Sequence, residues 1–168
     1  MTGNQTMKSI LLSSAALLIA TSAYAAKTDV TIGLQLEPPH LDPTSAAAAA
    51  IDQVVYSNIF EGLTRFGSDG AVLPGLAKSW DISEDGTVYT FKLHSGVTFH
   101  DGTSFEASDV VFSLDRTRAE DSTNAQKALF NGIESVEAVD ATTVKVTLSA
   151  PQGNFLFNMA WGDAVIVA

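Results

Sequence analysis

Two groups of side chains in this sequence have the types and spacing that could hold a metal ion. Asp81, Ser83, Asp85 and Gly86 match the opening of an EF-hand calcium loop, which needs a bidentate glutamate six residues after the glycine. Lys92 occupies that position, and its positive charge would repel a metal ion. Because the flanking residues alternate like strands rather than helices, the pattern predicts a tight turn and no calcium site.

A second group, His94, His100 and Asp101, offers nitrogen and oxygen donors. A zinc site needs three or four donors that converge on one point. The two histidines stand in turn-like sequence, and no further strong donor lies near them along the chain. We therefore predict no metal site and no cofactor, and we interpret these residues as parts of turns and hairpins.

The residue patterns of common enzymes are missing as well. Serine, histidine and aspartate all occur, but no Gly-x-Ser-x-Gly segment is present to expose a nucleophile at a strand-to-helix turn. Neither of the usual glycine-rich phosphate-binding motifs occurs. With no cysteine in the chain, thiolate chemistry and disulfide bonds are excluded. We therefore predict a protein that is not an enzyme.

Composition narrows the class of partner. The chain has 168 residues, of which 46% are hydrophobic and 17% charged, which is typical of a folded globular protein. It carries 9 basic and 19 acidic residues, for a net charge of −10. Nucleic acids and anionic membrane surfaces attract clustered lysine and arginine, so this balance argues against both as partners.

The first 25 residues have the layout of a secretory signal peptide. One cation, Lys8, precedes an apolar run over 10–20, and small residues follow at Ala23-Tyr24-Ala25. This pattern predicts cleavage between Ala25 and Ala26 and export to the periplasm. The apolar run is shorter than the roughly 20 residues that span a bilayer, so we expect no membrane-spanning segment. A buried amphipathic helix is the alternative interpretation.

The remaining chain predicts an α+β fold with antiparallel hairpins. Alternating apolar residues favour a strand at 30–36, which Glu37-Pro38-Pro39 ends because proline cannot donate to a sheet ladder. Apolar residues at every fourth position predict a helix over 46–62, and Val110, Val111 and Leu114 on one face predict a second over 107–118. A short helix is predicted over 155–160. Further strands are predicted at 64–66, 71–73, 80–82, 88–93, 97–99, 133–139, 143–148 and 164–167.

One junction between these elements combines residues that suit ligand binding. Trp161-Gly162-Asp163 places a flat apolar ring, a small residue and a carboxylate side by side. Such junctions often line ligand clefts. The alternative interpretation is a core tryptophan beside a solvated aspartate, and the sequence leaves both open.

Four segments in a fixed order carry a resemblance to a known family. They are PGLAKSW at 74–80, SEDGTVYTFKL at 83–93, GVTFHDGT at 96–103 and DVVFSL at 109–114. Leu41-Asp42-Pro43 and the residues from Tyr56 to Leu63 add to the pattern. Together they resemble the family 5 extracellular solute-binding proteins of ABC importers, the group that binds dipeptides, oligopeptides and nickel. The resemblance extends from Thr28 to the last residue.

The resemblance implies a periplasmic-binding-protein type II-like fold, in which two lobes close over a ligand. Only the opening part of that fold is matched. Residues 26–44 would be the first strand and loop of lobe one, 45–155 most of its extra subdomain, and 156–168 the start of the return into lobe one. We therefore expect a truncated form, and because one lobe cannot enclose a ligand by itself, we expect it to bind peptide poorly or not at all.

The resemblance also implies a site and partners. The loop with Glu37 and His40 and the junction with Trp161 and Asp163 would approach the ligand cleft. The ligand would be a peptide, and the partners would be the permease and ATPase subunits of an inner-membrane importer, with no catalysis by the binder itself. A binder of nickel chelates, opines or sugars stays open as an alternative, as does, from another class, a secreted hydrolase.

Overall fold

The computed structural model describes residues 28–45 and 48–168. The chain divides into two compact units, one ending at Gln35 and the other beginning at Leu36. The predicted signal peptide and its cleavage at Ala25 and Ala26 lie outside the described residues. No helix in the described part of the chain is both long and apolar enough to cross a membrane.

The strand predicted at 30–36 does not form. Val30 and Ile32 keep 82% and 77% of their surface exposed, and the segment pairs with no other described segment. Alternating apolar residues give a strand only when a neighbouring strand satisfies the backbone groups and covers one face. Residues 30–36 have the alternating apolar pattern, but no neighbouring strand pairs with them among the described residues.

A four-stranded antiparallel sheet forms the centre of the second unit. The strands are β3 (Ala77–Ile82), β4 (Val88–Leu93), β5 (Ile133–Asp140) and β6 (Thr143–Leu148), in the spatial order β3-β4-β6-β5. Tyr89 pairs with Val146 and Phe91 with Val144, so the apolar residues of the two central strands share one face. The alternation predicted for β4 is confirmed, since Tyr89, Phe91 and Leu93 are all buried.

Helix α2 (Ala107–Arg118) covers this apolar face, packing on β5 and β6. Val110 and Leu114 enter the core beside the sheet. The helix starts at a capping box, in which the Glu106 backbone N–H donates to the Asp109 carboxylate at 2.7 Å. Helix α2 was predicted with these bounds because its apolar residues recur at helical spacing between clear start and stop signals.

A two-stranded sheet of β1 (Thr64–Phe66) and β2 (Val72–Pro74) lies beside the short helix α3 (Phe155–Asn158). The Thr64 hydroxyl donates to the Leu156 carbonyl at 2.8 Å, which fixes β1 against α3. Gly75 permits the close approach of the segment that precedes β1, because a Cβ at this position would lie 2.6 Å from the Gly62 carbonyl oxygen.

Aspartate turns with the pattern Asp-x-Thr recur along the chain. In each turn the aspartate Oδ1 accepts from both the backbone N–H and the hydroxyl of the threonine two residues later. For Asp85 these distances are 3.1 and 2.8 Å, and for Asp101 they are 2.9 and 2.7 Å. Asp140 and Asp42 make the same two bonds. The turn predicted at Asp85 is therefore confirmed.

Helix α1 (Ala49–Val55) is shorter than the predicted helix over 46–62. Ser57 has a φ of 56°, which a right-handed helix cannot accommodate. The Val55 carbonyl then accepts from Asn58, Ile59 and Phe60, closing the helix with a compact turn. Apolar residues recur at every fourth position beyond this turn as well. The sequence pattern therefore predicted a helix that extends too far towards residue 62.

The last residues are held by helix α2. The segment after the 3-10 turn Gly162–Ala164 is buried at Val165 and Ile166, but it forms one isolated bridge to Gly62 rather than the predicted strand. The Ser113 hydroxyl donates to the Val167 carbonyl at 3.1 Å and accepts from the Val167 N–H at 2.9 Å. A single side chain therefore satisfies both backbone groups of Val167.

Replacing Ser113 with alanine should weaken this attachment. Val167 would lose both hydrogen bonds, and we expect the free energy of unfolding to fall by about 1–3 kcal/mol. Urea denaturation followed by circular dichroism measures the change. Ser108→Ala, on the exposed side of the same helix, is the matched control and should cost much less; equal losses for the two variants would contradict the assignment.

Candidate functional site

The loop predicted to approach the ligand is exposed over Glu37 and His40. The His40 Nδ1 accepts from the Asp42 backbone N–H at 3.3 Å, so the ring is attached to its own loop. Asp42 in turn lies 3.9 Å from the Arg116 guanidinium. Burial by itself would raise the pKa of Asp42, but hydrogen bonds from Thr44 and the Arg116 charge outweigh it and hold the pKa below the usual value.

A polar pocket of about 200 Å³ opens where this loop meets the end of helix α2. Its walls include Thr44, Arg116, Thr117, Asp121, Ser122 and Asn124, and we call it the polar pocket. Arg116 and Asp121 bring one positive and one negative charge to the same space. Thr117 is 5% exposed and contributes a hydroxyl to the wall. The polar pocket thus offers both charge signs together with hydroxyl and amide groups.

Asn124 connects the polar pocket to the predicted ligand-binding junction. Its side-chain oxygen accepts from the Gln126 N–H at 2.8 Å, and its Nδ2 donates to the Asp163 carbonyl at 3.0 Å. The residue is buried, so these bonds fix it firmly. The pocket wall and the backbone of the 3-10 turn are therefore held together by one amide side chain.

Asp163 lies beside a second carboxylate that sequence reasoning did not single out. Asp52, from helix α1, packs directly against Gly162, where a side chain would collide with the Asp52 carboxylate. Asp163 is 5% exposed. Burial and then the charge of Asp52 raise the pKa of Asp163 to about 6, and burial raises the pKa of Asp52 as well. We call Asp52 and Asp163 the acid pair.

The acid pair has no compensating positive charge in the part of the chain that the structure describes. The ion pairs there join Arg116 to Asp42, Arg118 to Asp115 and Lys145 to Glu137, and none involves the acid pair. A buried carboxylate beside a half-buried one, with no base to pair with either, lowers stability at neutral pH. Strongly shifted carboxyl groups of this kind are concentrated at functional sites.

Trp161 immediately precedes Gly162, the residue against which Asp52 packs. Trp161 keeps 38% of its surface exposed. Its ring meets Phe157 edge-on at 6.2 Å, and Phe157 stacks obliquely on Phe66 at 4.7 Å. Trp161 is not part of the buried core cluster, in contrast to the partly buried Trp80, which packs against that cluster. The interpretation of Trp161 as a core residue is therefore wrong.

The predicted site residues are only partly brought together. Trp161 and Asp163 flank Gly162, and the Asp163 backbone carbonyl accepts a hydrogen bond from Asn124 on the wall of the polar pocket. No hydrogen bond or ion pair joins Glu37 or His40 to them among the described residues. The residues that sequence reasoning missed are Asp52, Arg116, Thr117, Asp121 and Asn124.

His100, considered above as a metal ligand, lines a different cavity of about 150 Å³ that is mostly apolar. Phe60, Phe105 and Ile166 form much of its wall. In the described ranges 28–45 and 48–168, no three histidine, aspartate or glutamate side chains come close enough together to hold a metal ion. His94 is exposed, and its backbone N–H donates to the Leu76 carbonyl at 3.0 Å.

Replacing Asp163 with asparagine should stabilise the protein at neutral pH. Because the folded state raises the pKa of Asp163 from 3.8 to about 6, it favours the protonated form, so ionisation costs stability as the pH rises through this range. Asparagine removes that cost, and we expect a gain of about 1–3 kcal/mol above pH 7 that vanishes below about pH 4. Thermal unfolding across pH measures it. Asp81→Asn, at an exposed position, should show no such profile; a gain independent of pH would contradict this explanation.

Residues 71–167 match the model of "Bacterial extracellular solute-binding proteins, family 5 Middle". The glutathione-binding protein GsiB of Pectobacterium atrosepticum is 40% identical over 153 residues, which are 91% of this chain and 29% of that protein.

Solved structures give the same picture. NikZ from Campylobacter jejuni, solved with Ni(L-His), superposes with a TM-score of 0.69 at 34% identity, over 79% of this chain and 26% of NikZ. DppA from Helicobacter pylori, solved with the peptide STSA, superposes with a TM-score of 0.67 at 30% identity, over 76% of this chain and 28% of DppA.

These matches confirm the α+β class and the partial periplasmic-binding-protein type II-like fold. The chain spans less than a third of the length of each of these relatives. Since the family match covers more than half of the chain, the chain belongs to family 5 of the bacterial extracellular solute-binding proteins.

Proposed function

We propose that this chain belongs to the periplasmic solute-binding component of an ABC importer and takes part in binding a peptide or peptide-like solute. The bound solute is then delivered to the permease and ATPase subunits of the inner membrane. Family membership supports the binding role. The names of the relatives, which bind glutathione or a short peptide, support a peptide-like solute.

The observation that carries the proposal is the mixed charge of the polar pocket. Arg116 and Asp121 stand on its walls together with the buried Thr117 hydroxyl and the Asn124 amide. Peptides carry an ammonium group, a carboxylate and amide dipoles, and each of these finds a complementary group here. A pocket built for an apolar solute would lack such convergent polar groups.

Titration of the full chain with glutathione and with the peptide Ser-Thr-Ser-Ala tests the proposal. We expect backbone amide shifts at Arg116 and Asn124, with a dissociation constant near millimolar, because contacts from one side only are worth about 4 kcal/mol. Arg116→Gln should weaken binding about tenfold through the loss of a charge-assisted hydrogen bond. Heteronuclear NMR measures both effects.

Lys78→Gln is the matched control for this titration, since Lys78 is an exposed cation on β3 and makes none of the ion pairs found among the described residues. It should leave the affinity unchanged. Ni(L-His) serves as a competing solute in a parallel titration. Saturable binding of Ni(L-His) with no response to either peptide would overturn the peptide proposal in favour of a chelate binder.

Trp161→Ala tests the role of the junction. The indole is 38% exposed and lies outside the core, so its removal should cost little stability. We expect glutathione binding to weaken about three- to tenfold, because an exposed aromatic face beside a site supplies stacking area to a ligand. Phe112→Ala, at a side chain 51% exposed on helix α2, is the control. Unchanged affinity in the Trp161 variant would remove this residue from the site.

A further inference from the structure

The sequence contains one Asn-Gly pair, Asn131-Gly132, which joins the 3-10 helix Lys127–Phe130 to strand β5. Asn131 is exposed, and its side-chain amide makes no hydrogen bond with any described residue. The other described asparagines differ, because each uses its side-chain Nδ2 as a hydrogen-bond donor. They are Asn58, Asn124, Asn154 and Asn158. The Asn131 amide is therefore the least restrained asparagine side chain that the structure describes.

The peptide group that joins Asn131 to Gly132 is unrestrained as well. Neither its carbonyl nor its N–H takes part in a hydrogen bond with the described residues. The groups on either side of it are held. The Asn131 N–H donates to the Ala128 carbonyl at 3.4 Å, and the Gly132 carbonyl accepts from the Ser149 N–H at 2.9 Å. This peptide group can therefore rotate between two fixed neighbours.

Rotation of the peptide group would bring two reactive atoms together. Asn131 has a φ of −60° and a ψ of −23°, a helical conformation in which the Gly132 nitrogen cannot attack the Asn131 Cγ. Opposite changes in the ψ of Asn131 and the φ of Gly132 turn the peptide group over and leave the residues on either side in place. Glycine adopts positive and negative φ about equally readily, so this rotation meets no clash with a Cβ.

We propose that Asn131 is a site of spontaneous modification, at which the Gly132 nitrogen attacks the Asn131 Cγ and closes a five-membered succinimide ring. The new bond joins this nitrogen to Cγ, and the bond from Cγ to Nδ2 breaks. Nδ2 leaves as ammonia and takes up the proton that the Gly132 amide loses. Water then opens the ring at one of its two carbonyls: opening at Cγ gives aspartate, and opening at the main-chain carbonyl gives isoaspartate.

The modification alters the start of strand β5. Isoaspartate lengthens the backbone by one methylene group just before Gly132, whose carbonyl is held by Ser149, and before the buried Ile133. Arg118 holds the next two carbonyls, since its Nη1 donates to Ile133 at 3.2 Å and to Glu134 at 3.3 Å. The extra backbone atom therefore strains the contacts that attach this end of β5. Both products also add a negative charge to a chain whose net charge is already −10.

Incubation of the full chain in mildly alkaline buffer tests the proposal, with peptide mass spectrometry and isoaspartyl methyltransferase labelling as the readouts. We expect Asn131 to become isoaspartate and aspartate, with release of ammonia. A synthetic peptide of residues 127–136 gives the rate without the fold. The folded chain should react at no less than about a tenth of that rate, because turning a peptide group that has no hydrogen bonds costs little free energy. A rate below this limit would overturn the inference.

Asn58 is the internal control in the same sample. It is exposed like Asn131, but its Nδ2 donates to the Val54 carbonyl at 3.1 Å, and the branched Ile59 follows it. Asn58 should remain intact while Asn131 reacts. Equal conversion of the two asparagines would contradict the role assigned to Gly132 and its peptide group.

Two variants isolate the part played by Gly132. A Cβ at this position would collide with the Gln152 side chain, so Gly132→Ala is made together with Gln152→Ala, and Gln152→Ala alone is the matched reference. The double variant should react about tenfold more slowly than the reference or slower still, because a Cβ restricts the φ of the attacking residue. Circular dichroism checks that both variants are folded. Equal rates in the two variants would overturn the inference.

Discussion

Helix α2 is the element on which the rest of the second unit depends. Val110 and Leu114 pack it against the apolar face of the sheet. Ser113 holds the Val167 backbone from the same helix, and Arg116 reaches Asp42 in the loop before helix α1. One amphipathic helix therefore supports the core, fixes the last segment and carries the positive wall of the polar pocket. Its packing energy is what keeps the polar groups at fixed positions, as a preorganised binding site requires.

The sequence predicted the elements whose signals are local. Helix α2 and strand β4 have the predicted bounds because spacing, turns and caps agree over their whole length. The Asp-x-Thr turns were identifiable because the aspartate bonds a residue only two positions away. Two other segments depart from the prediction for different reasons. The segment at 30–36 has no pairing strand among the described residues, and the helix over 46–62 stops at the left-handed Ser57.

The site was predictable only in part, for a related reason. Trp161 and Asp163 attracted attention because a ring, a glycine and a carboxylate stand together in sequence. Asp52 gave no such signal, since an acidic residue in a helix is most often solvated. Its proximity to Gly162 arises from the packing of segments more than a hundred positions apart. Thr117 and Asn124 likewise look like ordinary polar residues until the fold buries them.

The aspartates of this acidic chain fall into two physical classes, and the difference bears on stability. Hydrogen bonds from Ser83 and Thr87 lower the pKa of Asp85, and those from Thr103 lower the pKa of Asp101. These carboxylates are satisfied by their own turns and need no ligand. Asp163 differs, since burial and the neighbouring Asp52 raise its pKa to about 6 and no described side chain neutralises it. The fold satisfies these aspartates within their own turns, whereas it leaves Asp163 buried beside Asp52 without an ion-pair partner among the described residues. At neutral pH the turn aspartates therefore support the folded state, while the ionised Asp163 opposes it.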